Sequence, residues 1–266
     1  MLLNKQKAAT LIIKKYIMKK SLIALIMLNV SCLAYSQNDS SMHIDDKNSI
    51  GFSPFALAFG KLQVNYERGI NKNMSLGLSV GAKFSSGVFK VSGLDNSKIA
   101  TDDFNLKGIE LLPEYRWYVQ KDVKRSYTGF FVGAYYRLRS YKDEIQGIYY
   151  SSDVLNPEQK INMETKIQSH AVGLEVGYKL PIRDHLYIDF LIAGPGIGSN
   201  KVSLQNKGSE LAEDFYKDLS SSLKEKYDFL NGITSDINFN KKSGTERKAN
   251  ITLPTFYYGI KVGYSF

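Results

Sequence analysis

The stretch Phe256-Tyr-Tyr-Gly-Ile-Lys-Val-Gly-Tyr-Ser-Phe266 decides the fold. Phe256, Tyr258, Ile260, Val262, Tyr264 and Phe266 fall on one face, and Tyr257, Gly259, Lys261, Gly263 and Ser265 on the other. A period of two is the signature of a strand. The apolar face is continuous, while the charge sits among glycines. A charge facing open water needs no glycine beside it. A long charged side chain pointing into a crowded interior does. The strand therefore reads as apolar outside and polar inside, the arrangement of a barrel in a membrane.

The same alternation recurs upstream. In Lys107–Tyr118, Ile109, Leu111, Pro113, Tyr115 and Trp117 oppose Glu110, Leu112, Glu114 and Arg116. Phe130, Val132, Ala134, Tyr136 and Leu138 oppose Phe131, Gly133, Tyr135, Arg137 and Arg139. Val172, Leu174, Val176 and Tyr178 oppose Gly173, Glu175, Gly177 and Lys179. Eight strands are expected, near 48–58, 60–69, 74–85, 105–119, 127–140, 164–180, 185–196 and 249–266. Pro54 conflicts with the first, since it cannot donate to a ladder. Connections are short at 69–73, 120–126 and 181–184, and long at 86–104, 141–163 and 197–248. That rhythm suits short periplasmic turns and long external loops. The predicted fold is all-β: an eight-stranded antiparallel transmembrane β-barrel over 48–266.

The long connection 197–248 has another period. Leu211, Phe215, Leu219, Leu223, Tyr227 and Leu230 recur at helical spacing. Ser209 is the expected N-cap, with Glu210, Glu213 and Asp214 near the start and Lys224 and Lys226 near the end, as the helix dipole favours. A helix is predicted over 209–230, with its apolar stripe capping the barrel mouth. A partner or the membrane surface are the other surfaces on which that stripe could be buried.

Met18-Lys19-Lys20, the apolar run 21–28 and Ala34-Tyr35-Ser36 read as a secretory signal peptide spanning residues 1–36, with Met18 as an alternative start. Asn29, Ser31 and Ser36 interrupt the run and argue against a membrane anchor. Residues 37–47 are a leader. The signal holds six lysines and no acid, so its removal lowers the formal charge from +9 to +3, and the basic balance does not point to nucleic acid. Cys32 is the single cysteine and lies in the signal. The mature chain then has neither disulfide nor cysteine metal site. Cys32 after Val30-Ser31 resembles the end of a lipobox, with Asn29 where Leu is usual, so lipidation there is the minor alternative.

The inward phase collects Glu67, Glu110, Glu114, Glu175 and Asp189 with Lys83, Arg116, Arg137, Arg139, Lys179 and Lys261. Buried charges must be paired. Five acids and six bases in a narrow barrel read as a salt-bridge network that fills it. Glycines 77, 81, 133, 173, 177, 259 and 263 share that phase. Outward aromatics, Tyr66, Trp117, Tyr178, Tyr264 and Phe266 at one rim and Phe84, Tyr136 and Phe256 toward the other, suit interfacial girdles. Catalytic signals are weak. His43, His170 and His185 show no metal-ligand spacing. Nothing selects Ser169, His170 and Asp189 as a triad. Gly194-Pro-Gly-Ile-Gly198 lacks the Gly-Lys-Ser/Thr ending of a phosphate loop and reads as a strand end entering a loop. No cofactor is expected.

Tyr258, Ile260, Val262, Tyr264 and Phe266 resemble the C-terminal assembly signal of outer-membrane barrels. That resemblance implies recognition by the barrel-assembly machinery. The layout is similar to that of small OmpA- and OmpX-like barrels. Glu110-Leu-Leu-Pro-Glu-Tyr-Arg-Trp-Tyr118, followed by Gly129-Phe-Phe-Val-Gly-Ala-Tyr-Tyr136, looks like an uncharacterised outer-membrane barrel family of unknown function. The resemblance implies the bacterial outer membrane, with its lipid and lipopolysaccharide, and leaves any external partner open. The expected function is a non-catalytic structural or surface-interaction role. The alternatives are a small-solute channel or ligand-binding barrel, including a soluble barrel of lipocalin type, and a barrel enzyme acting on lipid or peptide at the membrane surface.

Overall fold

The computed structural model describes residues 46–71, 73–84, 87–88, 91–119, 127–151, 157–226, 239, 242–243 and 246–266. The expected signal peptide, most of the leader and the helix end at 227–230 lie outside the described residues.

The elements in chain order are β1 (Asn48–Phe52), α1 (Pro54–Leu57), β2 (Lys61–Gly69), β3 (Met74–Lys83), β4 (Ile99–Thr101), β5 (Lys107–Tyr118), β6 (Gly129–Tyr150), β7 (Glu158–Pro181), β8 (Leu186–Asn206), α2 (Glu213–Lys226), β9 (Lys242–Ser243) and β10 (Glu246–Ser265). The protein is all-β. Nine strands follow one another in the hydrogen-bonded order β1-β2-β3-β5-β6-β7-β8-β10-β9, every neighbour antiparallel. β1 also pairs with β10, Ser49–Phe52 against Val262–Ser265, so the sheet's hydrogen bonds form a ring. β4 lies off this path, on β6. The lower end, as named here, carries Asn48, Phe266 and the short turns.

Burial alternates residue by residue along every long strand. The registers then show a change of character at one level. On the outward phase, Leu138 of β6 gives way to Ser140 and Lys142, and Val172 of β7 to His170 and Gln168. Ile197 of β8 gives way to Ser199 and Lys201, and Pro254 of β10 to Thr252 and Asn250. Leu138 is paired with His170, Val172 with Ile197, and Ile197 with Pro254. Below this level the outward face is apolar, with Leu78, Leu111, Leu174, Ile192 and Ile260 all exposed. Above it the outward face is mostly polar, with Ile148 and Tyr150 exposed at the top of β6.

The inward face changes in the opposite sense. Below, it holds buried charges beside a cluster of Leu112, Tyr118, Phe131, Tyr135, Leu191 and Tyr257. Above, Tyr149, Ile161, Met163, Leu204 and Ala249 form an apolar core with Leu94, Ile99, Leu211, Phe215 and Leu219. The lower half of the sheet is thus inverted relative to the upper.

Four strands are longer than the sequence predicted. β6 runs to Tyr150 rather than 140, β7 begins at Glu158 rather than 164, β8 ends at Asn206 rather than 196, and β10 begins at Glu246 rather than 249. The reason is the same reversal. Above the level the strands carry polar residues outward, which read as loop, yet Tyr141, Ile145 and Tyr149 keep the inward period of two. The connection 141–163 is therefore largely strand, and 197–248 opens with strand as far as Asn206. The segment Gly194–Gly198 lies inside β8 rather than at its end. Its glycines accommodate Tyr135, whose hydroxyl donates to the Gly194 carbonyl at 2.9 Å. A Cβ on Gly196 would stand 2.6 Å from that hydroxyl.

β1 is shorter than the predicted 48–58. It ends at Phe52, and Pro54 opens α1, where its missing N–H costs nothing. α2 begins at Glu213, not after Ser209. The Ser209 carbonyl instead accepts from the Asn206 side chain at 2.6 Å. No described helix is long and apolar enough to cross a membrane, which carries no information about strands.

Candidate functional site: a charge-packed interior and a side cavity

Odd-numbered residues of β2, β7, β8 and β10 and even-numbered residues of β5 bring charges from five strands into the lower interior. Arg116 on β5 is the hub. Its Nε donates to Glu175 at 3.0 Å, Nη1 to Asp189 at 2.7 Å and Nη2 to Glu114 at 3.0 Å. Its guanidinium also lies 4.2 Å from the Phe131 ring centroid. Lys261 on β10 donates to both oxygens of Glu114, at 3.1 and 2.9 Å. Lys179 on β7 reaches Glu67 at 2.8 Å, and Tyr118 donates to the same carboxylate at 2.7 Å. Ser75 and Ser79 donate to Glu67 and Glu114. Arg116, Glu175 and Asp189 are at most 1% exposed, and Glu175 Oε2 and Asp189 Oδ1 have no hydrogen-bond partner among the described residues. Buried ion pairs hold when their remaining lone pairs and protons are bonded, and most of these are.

A second cluster lies higher. Lys61 donates to Glu110 at 2.8 Å, Arg139 contacts the same carboxylate at 3.2 Å, and Tyr141 donates to it at 3.3 Å. Arg139 Nε, despite that contact, makes no hydrogen bond among the described residues, and Arg137 leaves two donors open. Arg137 is 5% exposed, stacks 4.5 Å over the Tyr257 ring, and its Nε and Nη2 have no partner among the described residues. Beside it is a cavity of about 280 Å³, lined among others by Lys61, Glu110, Arg137, Arg139, Tyr257 and Gly259. Below the hub layer a void of about 10 Å³ borders Ser49, Glu67, Tyr127 and Lys179. The hub layer separates the two.

The cavity owes its position to the short β1. That strand stops at Phe52, so β10 above Val262 has no β1 partner. α1 takes the vacant place, packing against β2 and β10. Phe55 of α1 meets the outward Tyr258 ring at 5.6 Å. The cavity is lined by inward Tyr257 and Lys261 and also by outward Phe256, Tyr258 and Ile260. It therefore reaches both faces of β10.

The family model described as "Protein of unknown function (DUF3575)" matches residues 33–207. The chain belongs to the DUF3575 family. No curated protein and no solved structure matches it. The match ends one residue past β8, so α2 and β10 of this DUF3575 protein fall outside it.

Of the predicted interior charges, Glu67, Glu110, Glu114, Arg116, Arg137, Glu175, Lys179, Asp189 and Lys261 are buried, and Arg139 is half-buried in the second cluster. The Lys83 Nζ donates to the Phe59 carbonyl at 2.6 Å. Lys61 was missing from the predicted set, although it shares the phase of Glu67 on β2. Tyr118, Ser75 and Ser79 were missed too, because hydroxyls on an inward phase carry no charge signal. Tyr258, Ile260, Val262, Tyr264 and Phe266, which resemble an assembly signal, all face outward and are exposed.

Ser169, His170 and Asp189 are not brought together. Ser169 is buried inward and Asp189 is bound to Arg116, whereas His170 is exposed outward, its Nδ1 2.9 Å from the Tyr136 hydroxyl. His185 Nδ1 lies 2.9 Å from Asp46, and His43 is outside the described residues. No group of three His, Cys, Asp or Glu among the described residues is placed to hold a metal.

Proposed function

We propose that this DUF3575 protein is an eight-stranded transmembrane β-barrel of the bacterial outer membrane, exported through the signal peptide at residues 1–36. It has a non-enzymatic structural or surface-interaction role. One observation carries the reading. The outward face is apolar up to a single level and mostly polar above it, while the inward face changes the other way. Water outside cannot explain the lower half, because exposed apolar side chains would ring it completely. Hydrocarbon outside explains both halves. On β7 the apolar band runs from Val172 to Pro181. Ten residues at about 3.3 Å each, tilted about 40°, rise roughly 25 Å, the height of an outer-membrane barrel's apolar band.

In this reading the termini and short turns face the periplasm. The upper parts of β6, β7, β8 and β10, with α2, form the projecting surface that meets external partners. Lipid and lipopolysaccharide surround the lower half. The barrel-assembly machinery engages Tyr258, Ile260, Val262, Tyr264 and Phe266 on the outward side of β10. The proposed arrangement is that of a small OmpA- or OmpX-like barrel. The hub layer supports a closed interior over a channel.

Single cysteines in the mature chain test this, with Cys32 gone alongside the signal. Leu174→Cys should react with a lipid-phase reagent and resist an aqueous maleimide. Lys166→Cys, above the level on the same strand, should do the reverse. Aqueous labelling of Leu174→Cys, or recovery of the mature chain in the soluble periplasm, would sink the proposal.

A further inference from the structure

We infer that the side cavity binds the carboxylate of a single-chain fatty acid on Arg137, with the hydrocarbon tail leaving the wall between α1 and β10. The head-group site is the Arg137 guanidinium. Its Nε and Nη2 are the two donors on one edge of the fork, the pair that grips a carboxylate bidentately. Both are buried and without a partner among the described residues. Leaving such donors unpaired in the interior is costly, and a ligand oxygen pair removes that cost.

Charge selects an anion. Lys61 and Arg139 share Glu110, Lys261 bonds Glu114, and the Lys83 Nζ donates to the Phe59 carbonyl, so the cations lining the cavity outnumber its one carboxylate, Glu110. Arg137 is the cation whose two-donor edge is open, and that edge fits one monoanionic carboxylate. Size selects a partial guest. A volume near 280 Å³ is just below that of common small-molecule pockets, enough for a head group and its first carbons.

The remaining carbons need an apolar exit. Phe256, Tyr258 and Ile260 line the cavity from the outward face of β10, and Phe55 of α1 meets Tyr258. This opening lies in the inverted lower half, so the tail passes into whatever surrounds the apolar band. That part of the inference rests on the membrane reading above. Gly259 sits on the inward phase of β10, and a Cβ there would meet nothing within 4 Å. The open space beside Gly259 is the first stretch of the tail's path.

The test uses the mature protein in a non-ionic detergent with dodecanoate carrying ¹³C at its carboxyl. Wild type should show a bound carboxyl resonance that dodecyltrimethylammonium does not displace. Arg137→Gln should weaken binding on the order of tenfold or more, as loss of a charge-assisted hydrogen bond requires. Gly259→Leu leaves Arg137 in place, puts its side chain into open space, and should block dodecanoate binding in a protein that still migrates as a folded barrel. Equal binding by wild type and both variants overturns the inference. Acetate competing as well as dodecanoate overturns the amphiphile, and dodecyl phosphate binding more tightly overturns the monoanion. Aqueous labelling of Leu174→Cys would remove the membrane reading while leaving the carboxylate titration to stand or fall alone.

Discussion

Arg116 of β5 donates to Asp189 of β8 at 2.7 Å across the interior, with both side chains closed to solvent. The same guanidinium answers Glu175 and Glu114. Glu114 is also held by Lys261, so Glu175 and Asp189 are the carboxylates that depend on this one cation. Arg116→Met would keep much of the volume and leave Glu175 and Asp189 as buried charges without their partner. The expected loss is about 3–5 kcal/mol, or more if the layer takes up water. It is read as a lower temperature for the heat-induced gel shift and a lower urea midpoint. An unchanged midpoint would show that the hub is not needed.

The hub layer also predicts electrical silence. Ions would have to pass Arg116, Glu175 and Asp189, none of them more than 1% exposed. Planar-bilayer recording of wild type should show no steady conductance. Arg116→Ala, which opens the layer, is the variant in which leak should first appear. A conducting wild type would return the interior charges to the role of an ion path.

Glycines below the level should differ sharply in tolerance. A Cβ on Gly177 would stand 2.4 Å from Phe131 Cζ, and the Phe131 ring supports Arg116. Gly177→Val should cost about 1–3 kcal/mol through overpacking. A Cβ on Gly259 meets open space, so Gly259→Ala should be close to neutral. Matched urea melts of the two variants check the contrast.

Above the level, Tyr149 holds α2 through a hydrogen bond from its hydroxyl to Asp218 at 3.0 Å, and its ring packs on Phe215 at 5.1 Å. Burial, helped by that hydrogen bond, pushes the phenol from 10.0 up to about 12. A raised acid binds its proton more tightly in the folded state. Its contribution is therefore complete below pH 10 and is lost as pH rises through about 12. Hydrogen exchange of α2 should accelerate in that window. Tyr149→Phe should speed exchange at neutral pH, with a loss of about 1 kcal/mol, and abolish the extra pH dependence.

How far the sequence could be read follows from which residues change phase. Phe256 to Phe266 and the Glu110/Glu114 face kept one period and one polarity, so their strands and inward charges were legible. Ser140, Lys142 and Glu144 kept the period but lost the apolar outward face, and strand was mistaken for loop. In β8 the register shifts between the pairs Val176–Ala193 and Gly177–Leu191, so the inward set passes from Leu191 to Gly194. That bulge hid the continuation of β8. The helix was legible because Phe215, Leu219 and Leu223 keep its spacing, but its start was not, since Ser209 serves a turn. Arg137 was placed inward, yet nothing in one sequence tells a paired arginine from one with open donors.

The joint between β1 and β10 has a kinetic meaning. It consists of four residue pairs, flanked by the backbone exchange of Asn48 with Phe266, residues 218 apart in the chain. Every other joint of the ring links strands closer in sequence, so this one carries the largest loop entropy for the fewest residue pairs in the ring. It should zip last and unzip first, while β6, β7 and β8 persist as a three-stranded nucleus. Lengthening β1 past Phe52 would make the joint firmer but would evict α1 from its place, so the protein trades speed and strength of closure for the helix set into its wall.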